Sequence, residues 1–332
     1  MKSSLEISVK NIFRLITLFI LVFVSINVSA KYDFVVDKNG MGDFKTIQDA
    51  IDASRCFPDQ RIMIYVKNGE YHEKIKIIEC NTKISLIGEN KDSTIIWYDD
   101  YFDKMQRGRN STFYTYTLNI EANDIVLENL TIANRAGRVG QAVALHITGD
   151  RCVVKNCRLL GDQDTLYSSG ENSRQYYFRC YIEGTTDFIF GCATAYFQDC
   201  EIHSKQNSYI TASNSPKNNR YGFIFNNCKL TADDEVTSVF LGRPWRDYAK
   251  AVFINCYMGE HIRPEGWDNW SSPHREETAY YAEGNNSGPG SKTESRVSWS
   301  HQLNDKSILK YSVDSVFNAN KMHLTLNDYW YH

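Results

Sequence analysis

CRLLGDQD (Cys157–Asp164) and CYIEGTTD (Cys180–Asp187) are two copies of one eight-residue phrase. Each runs cysteine, an apolar residue at plus two, glycine at plus four and aspartate at plus seven. If the copies are successive coils of one repeating structure, Asp164 and Asp187 lie in register on neighbouring strands, roughly 4.8 Å apart along the stack. Two carboxyls that close cannot both ionise freely, so one is driven towards its protonated form. A site built this way holds an acid and an anion at the same pH.

Aligning the chain on Cys157 extends the repeat in both directions. The phrases are IVLENLTI around Leu130, VVKNCRL, YYFRCYI, YFQDCEI, FIFNNCKL and VFINCYM around Cys256, with successive anchors 27, 23, 20, 28 and 28 residues apart. Three residues before the anchor stand Leu127, Val154, Tyr177, Phe197, Phe225 and Phe253; two after it stand Ile132, Leu159, Ile182, Ile202, Leu230 and Met258. All of these positions are apolar, at a period typical of solenoids with loops of variable length. The expected fold is therefore all-β, a solenoid whose identical positions form inward columns. Asn129, Asn156, Arg179, Asp199, Asn227 and Asn255 precede the anchors and read as a polar ladder at the strand edge. The anchor cysteines read as small apolar core residues. Metal binding is the sharper alternative, but no close CxxC or HxH pairing accompanies them.

Upstream, Thr46 to Asp52 carries apolar residues at Ile47, Ala50 and Ile51 behind a Thr46-x-x-Asp49 capping pattern, which predicts one short N-terminal capping helix. The first 30 residues combine Lys2, Lys10 and Arg14 with the apolar run Leu15 to Val24 and the small-residue pattern Val28-Ser29-Ala30. This reads as a secretory signal peptide, followed by one domain over residues 31–332. Its removal takes three positive charges and one negative from a net charge of −3, leaving −5. A mildly acidic chain has no electrostatic case for nucleic acid, and its mature form has no expected membrane span. Nine cysteines in an exported chain leave at least one thiol unpaired within the molecule. Cys180 and Cys200 share the anchor position on adjacent coils at a spacing a disulfide permits, so they are the expected bridge.

Five short motifs carry the chemistry: Gly69–Glu73 (GEYHE), Gln141–Leu145 (QAVAL), Gly161–Leu166 (GDQDTL), Asp187–Gly191 (DFIFG) and Leu241–Trp245 (LGRPW). In that order and spacing the chain resembles the pectin methylesterases, from about Tyr32 to Trp299 and including AEGNNSGPG and RVSW near the end. The resemblance implies a right-handed parallel β-helix that hydrolyses galacturonate methyl esters in pectin without a metal or other cofactor. It makes Asp187 the nucleophile, with Arg243 pairing to it and holding its pKa down. Asp164 becomes the general acid that protonates departing methanol and then the base that activates water. Gln141 and Gln163 supply neutral donors for the oxyanion. Trp245, Tyr167, Phe190 and Thr117 are the expected sugar contacts, aromatic faces being good platforms for sugar rings.

Blander readings stand beside these. An aspartate at a coil corner is ordinarily a turn residue, but two in register with glutamines beside one of them favour catalysis. Gln141 reads equally well as a ladder amide, Glu73 as a structural hydrogen-bonding group, and His72 has no motif partner. Thr186 stands where the family resemblance leads one to expect an apolar residue, and ITASNS (Ile210–Ser215) replaces a more usual glutamine-containing stretch. Both are expected to reshape the substrate groove. The chain resembles the short form of the family that lacks a long N-terminal inhibitory region. It is expected to be a secreted monomer, in the medium, cell wall or periplasm. The alternatives are a polysaccharide lyase or hydrolase on the same solenoid, which would show a calcium-binding carboxylate cluster if it were a pectate lyase, and a non-catalytic carbohydrate-binding relative.

Overall fold

The computed structural model describes residues 32–318, 330 and 331; the signal peptide expected over residues 1–30 lies outside them. Three parallel sheets wind together as a β-helix, each coil contributing one strand to each sheet in turn. The first sheet has 11 strands from Phe34–Val36 to His301–Gln302, the second has eight from Gly69–His72 to Tyr257–Met258, and the third has seven from Ile75–Ile77 to Phe240–Gly242.

The register places both apolar series as the repeat requires. Leu127, Val154, Tyr177, Phe197, Phe225 and Phe253 pair one to the next along the first sheet, and all are buried. Ile132, Leu159, Ile182, Ile202, Leu230 and Met258 do the same along the second. Tyr177, Phe197, Phe225 and Phe253 stack with centroid separations of 4.5, 4.5 and 4.3 Å and nearly parallel rings. In-register strands impose this face-to-face geometry, and burial of the rings supplies most of its stabilisation. The column ends on Glu283, in register with Phe253, whose buried carboxylate is forked by Arg296 and receives the Trp267 indole N–H.

The residues before the anchors have a second reason for being mostly asparagine. Asn129, Asn156, Arg179, Asp199, Asn227 and Asn255 all have φ between +50° and +56°. They turn the chain from the first sheet into the second through the left-handed region that asparagine and aspartate tolerate best. Part of the ladder is also present: Asn156 Nδ2 donates to Asn129 Oδ1, and Asn227 Nδ2 to Asp199 Oδ1.

The expected Cys180–Cys200 bridge is not formed. Both are free, buried thiols, and the disulfide joins Cys56 to Cys80 instead. Parallel stacking explains this: both thiols donate back to a backbone carbonyl of the preceding coil, Cys180 to Val154 and Cys200 to Tyr177. The sulfurs follow one another up the stack, each held on a carbonyl of the coil before it. Cys56–Cys80 ties the segment after the first helix to the chain following Ile75–Ile77.

That helix, Ile47–Asp52, is capped by Thr46, whose side chain accepts from the Asp49 N–H, and it buries Ile47, Ala50 and Ile51 in the core. Glu73 accepts from the N–H groups of Ile47 and Gln48, so this residue of GEYHE serves a helix terminus. His72 stacks on Trp97 at 4.2 Å.

Candidate active site

The third sheet carries the site at the corners where the chain enters its strands. Asp164 precedes Leu166–Ser168 and Asp187 precedes Ile189–Gly191, and Leu166 pairs with Ile189, so the two aspartates occupy the same step of successive coils. Both have left-handed backbone, with φ of +66° and +50°. The Asp164 N–H donates to Thr186 O at 3.1 Å, and the Asp187 N–H to Tyr209 O at 2.9 Å. Gly191 closes the DFIFG motif at φ +125°, where a Cβ would fall 2.1 Å from Ser168 O. Only glycine lets adjacent coils approach there.

A single cleft of about 580 Å³ gathers Gln141, Gln163, Asp164, Asp187, Phe190, Arg243 and Trp245. Four motifs separated by up to about a hundred residues therefore meet at one surface. Gln141 and Gln163 are bridged in parallel, with the Ala142 N–H donating to Gln163 O. The same lining includes Thr112, Phe113, Ala212, Asn214 and Trp270. Ala212 and Asn214 belong to ITASNS, so that departure does fall in the groove. Thr186 instead pairs its hydroxyl with Ser208 Oγ at 2.7 Å.

Charge is distributed unequally over the two aspartates. Arg243 forks Asp187, Nε to Oδ1 at 3.0 Å and Nη2 to Oδ2 at 2.7 Å. Its guanidinium is sandwiched between Tyr209 and Trp270, 3.9 and 3.7 Å from the ring centroids. Trp270 lies outside all five motifs, and nothing in local sequence marks it. Burial pushes the Asp187 carboxyl above the usual carboxylate range, while the Arg243 hydrogen bond and charge pull against it. Arg243 does lower the Asp187 pKa, but desolvation outweighs the ion pair, so the net direction is upward. Asp164 goes well above the carboxylate range, through burial first and then the charge of Asp187, with Arg243 offsetting part of this. Between the two ionisations the pair holds one protonated and one charged carboxyl.

One expected sugar contact sits elsewhere. Thr117 is fully buried and its hydroxyl donates to Ala133 O at 2.8 Å, so it cannot meet substrate. Its hydroxyl is held inward at the corner before Leu118–Ile120, where the carbonyl of Ala133 accepts it. Tyr167 stands in register beside Phe190 and packs against Phe190, Phe113 and His146, at 4.7, 5.0 and 4.7 Å.

Comparison with known proteins agrees with this geometry. The pectinesterase family model matches residues 33–320. Pectinesterase 31 of Arabidopsis thaliana is 36% identical over 278 residues, covering 81% of this chain and 87% of its own. A pectin methylesterase from carrot superposes with a TM-score of 0.81 at 29% identity, over 87% of this chain and 93% of that one. A pectin methylesterase in complex with a hexasaccharide gives 0.76 at 28% identity, over 90% and 100%. A match that runs through every coil of the solenoid, to relatives sharing more than a third of their residues with it, places this chain in the pectinesterase family.

Proposed function

We propose that this pectinesterase removes methyl groups from galacturonate esters through a covalent acyl-enzyme on Asp187. The observation that carries the reading is the unequal treatment of two in-register carboxyls: Arg243 forks Asp187, while Asp164 faces the same space with its pKa raised further.

The Asp187 carboxylate attacks the ester carbonyl carbon, and the amides of Gln141 and Gln163 donate to the oxyanion that develops. Collapse of the tetrahedral intermediate breaks the bond to the methoxy oxygen, which takes the Asp164 proton and leaves as methanol. Asp164, now anionic, removes a proton from water, and the resulting hydroxide attacks the mixed anhydride on Asp187. The anhydride opens to galacturonic acid, which gives its proton to solvent and departs as a carboxylate, while Asp187 regains its charge and Asp164 keeps the proton it took from water. Phe190 and Trp245, tilted at 5.9 Å from each other, present ring faces to the sugars.

The hexasaccharide-bound relative supports an extended polysaccharide as the ligand of the cleft. The enzyme acts as a secreted monomer, one catalytic domain following a cleaved signal peptide. Methanol release from methylated pectin, with and without a chelator, tests the function. Release unaffected by chelator is expected, whereas uronide double bonds in place of methanol would identify a lyase.

A further inference from the structure

Four N-x-Ser/Thr triplets follow residue 30: Asn110-Ser111-Thr112, Asn129-Leu130-Thr131, Asn269-Trp270-Ser271 and Asn285-Asn286-Ser287. In a secreted protein such a triplet is the acceptor for an N-linked glycan, a bulky group that must project from the surface. Transfer acts on the extended chain, so the fold decides which of the four can carry a glycan without losing contacts.

Three of them are tied to their neighbours. Asn129 and Asn285 stand at left-handed corners, with φ of +56° and +54°, where Asn129 Oδ1 accepts from Asn156 Nδ2 and Asn285 Nδ2 donates to Asn255 Oδ1 at 2.7 Å. Asn269 Nδ2 donates to Glu276 Oε1 at 2.6 Å, next to the Trp270 that covers Arg243. A glycan on any of these has to fit beside a group the carboxamide already holds, at the expense of that hydrogen bond.

Asn110 differs. It is exposed, and its side chain has no hydrogen-bond partner among the described residues. It lies in the 3-10 helix Gly108–Tyr114, which is held in place at several points. The Arg107 N–H donates to Ser111 Oγ at 3.0 Å, Lys74 Nζ to Tyr114 O at 2.6 Å, and the Phe102 N–H upstream to Gln141 O at 2.9 Å. Asn110 borders the catalytic cleft and also a second cavity of about 290 Å³, which Phe113, Tyr114 and Tyr116 help to wall. Tyr114 is 41% exposed, so the first sugar of a glycan there has an aromatic face to lie on.

We propose that Asn110 carries an N-linked glycan that overhangs the rim of the catalytic cleft. The donor is a lipid diphosphate-linked oligosaccharide, met as the chain enters the secretory route; the inference therefore rests on the secreted reading. Asn110 Nδ2 attacks C1 of the first sugar, the N–C1 bond forms and the bond from C1 to the diphosphate oxygen breaks. The lipid diphosphate leaves as an anion and the amide gives up one proton to a base. The glycan then narrows the approach of long polymers to the cleft, while short oligomers pass beneath it.

The test expresses the full chain in a eukaryotic host and collects it from the medium. Treatment with a peptide N-glycosidase in ¹⁸O-water converts a glycosylated asparagine to labelled aspartate, and peptide mapping locates the label. Label concentrated at Asn110 is expected, and Asn110→Gln should migrate lighter by one glycan. Trimming the wild-type glycan to a single sugar with an endoglycosidase should lower KM for long pectin and leave KM for short oligomers as it was. Asn110 bare in the secreted chain, or label spread evenly over the four triplets, would overturn the assignment. An occupied Asn110 with KM for long pectin unmoved by trimming would overturn the placement over the cleft. A chain retained inside the cell with all four triplets bare would defeat the secreted reading along with the proposal.

Discussion

Asp164 and Asp187 stand at the same step of two successive coils, and the backbone N–H of Asp164 is bonded to the carbonyl of Thr186, the residue before Asp187. Only Asp187 is forked by Arg243. The same residue type in the same left-handed corner thus meets two different environments, and the roles follow from that difference.

Asp187→Asn keeps the corner conformation and removes the attacking anion, so turnover is expected to fall by several orders of magnitude while pectin binding persists. Asp164→Asn leaves methoxide without a proton donor and water without a base, a loss on the order of 10²- to 10⁴-fold. Asp164 is still protonated when Asp187 ionises, so the acid limb of residual methanol release should stay near that of wild type, while the limb set by Asp164 ionisation disappears. Persistence of that second limb in Asp164→Asn would show that it belongs to another group.

Arg243 acts on the acid limb itself. Arg243→Gln removes the cation that limits the rise in the Asp187 pKa, so the acid limb should move up as kcat falls. Arg243→Lys keeps the charge but loses the fork and the packing between Tyr209 and Trp270. It should retain a limb near that of wild type with activity reduced about 10²-fold. Pre-steady-state methanol release in both variants separates ionisation from positioning.

The raised Asp164 pKa also has a stability sign. A carboxyl whose folded pKa lies above its unfolded value of 3.8 costs nothing at lower pH. Stability is then lost as pH rises, until the folded group has also ionised. Asp164→Asn removes that cost. Its melting temperature should match wild type near pH 3 and exceed it by a few degrees at pH 8, and calorimetry across that range would reveal a constant difference if burial were not the cause.

The cysteines make a chemical prediction. Peptide mapping without reductant should recover Cys56 joined to Cys80, and Cys180 and Cys200 as thiols. In the native protein a small alkylating agent should label the half-buried Cys192 well before the fully covered anchor thiols. Cys56→Ala should cost about 3 kcal/mol for a loop of this length.

Inside the column, Phe225 is stacked on both sides, against Phe197 and Phe253. Phe225→Ala should destabilise the protein by about 3–5 kcal/mol in denaturant melts. Activity per folded molecule should be retained, because the column faces away from the cleft. A smaller cost would mean that the coils close over the gap.

The columns and the aspartate register were legible in the sequence because a parallel stack repeats one environment at each step. A position that stays apolar in all six coils, such as the one running from Leu127 to Phe253, faces the core. The disulfide was not legible: in-register cysteines satisfy a distance rule, but the direction of the Cβ–S bonds is a property of the stack. Nor could Trp270 be read from a motif. Its significance lies in what a distant coil places opposite it. Thr117 failed for a related reason: at the corner before Leu118–Ile120 its hydroxyl turns onto the carbonyl of Ala133, a contact no motif announces.

In both copies the aspartate stands seven positions after its anchor, yet the next anchor follows it by 16 positions in one and 13 in the other. Chain added after the strands of the third sheet lengthens a loop and leaves the stack intact. One residue added or removed between Cys157 and Asp164 would rotate the carboxyl out of line with its neighbour. The fold thus separates segments free to change length from segments that cannot, and lineages or designers seeking new groove shapes have the loops to work with while the spacing from anchor to aspartate stays fixed.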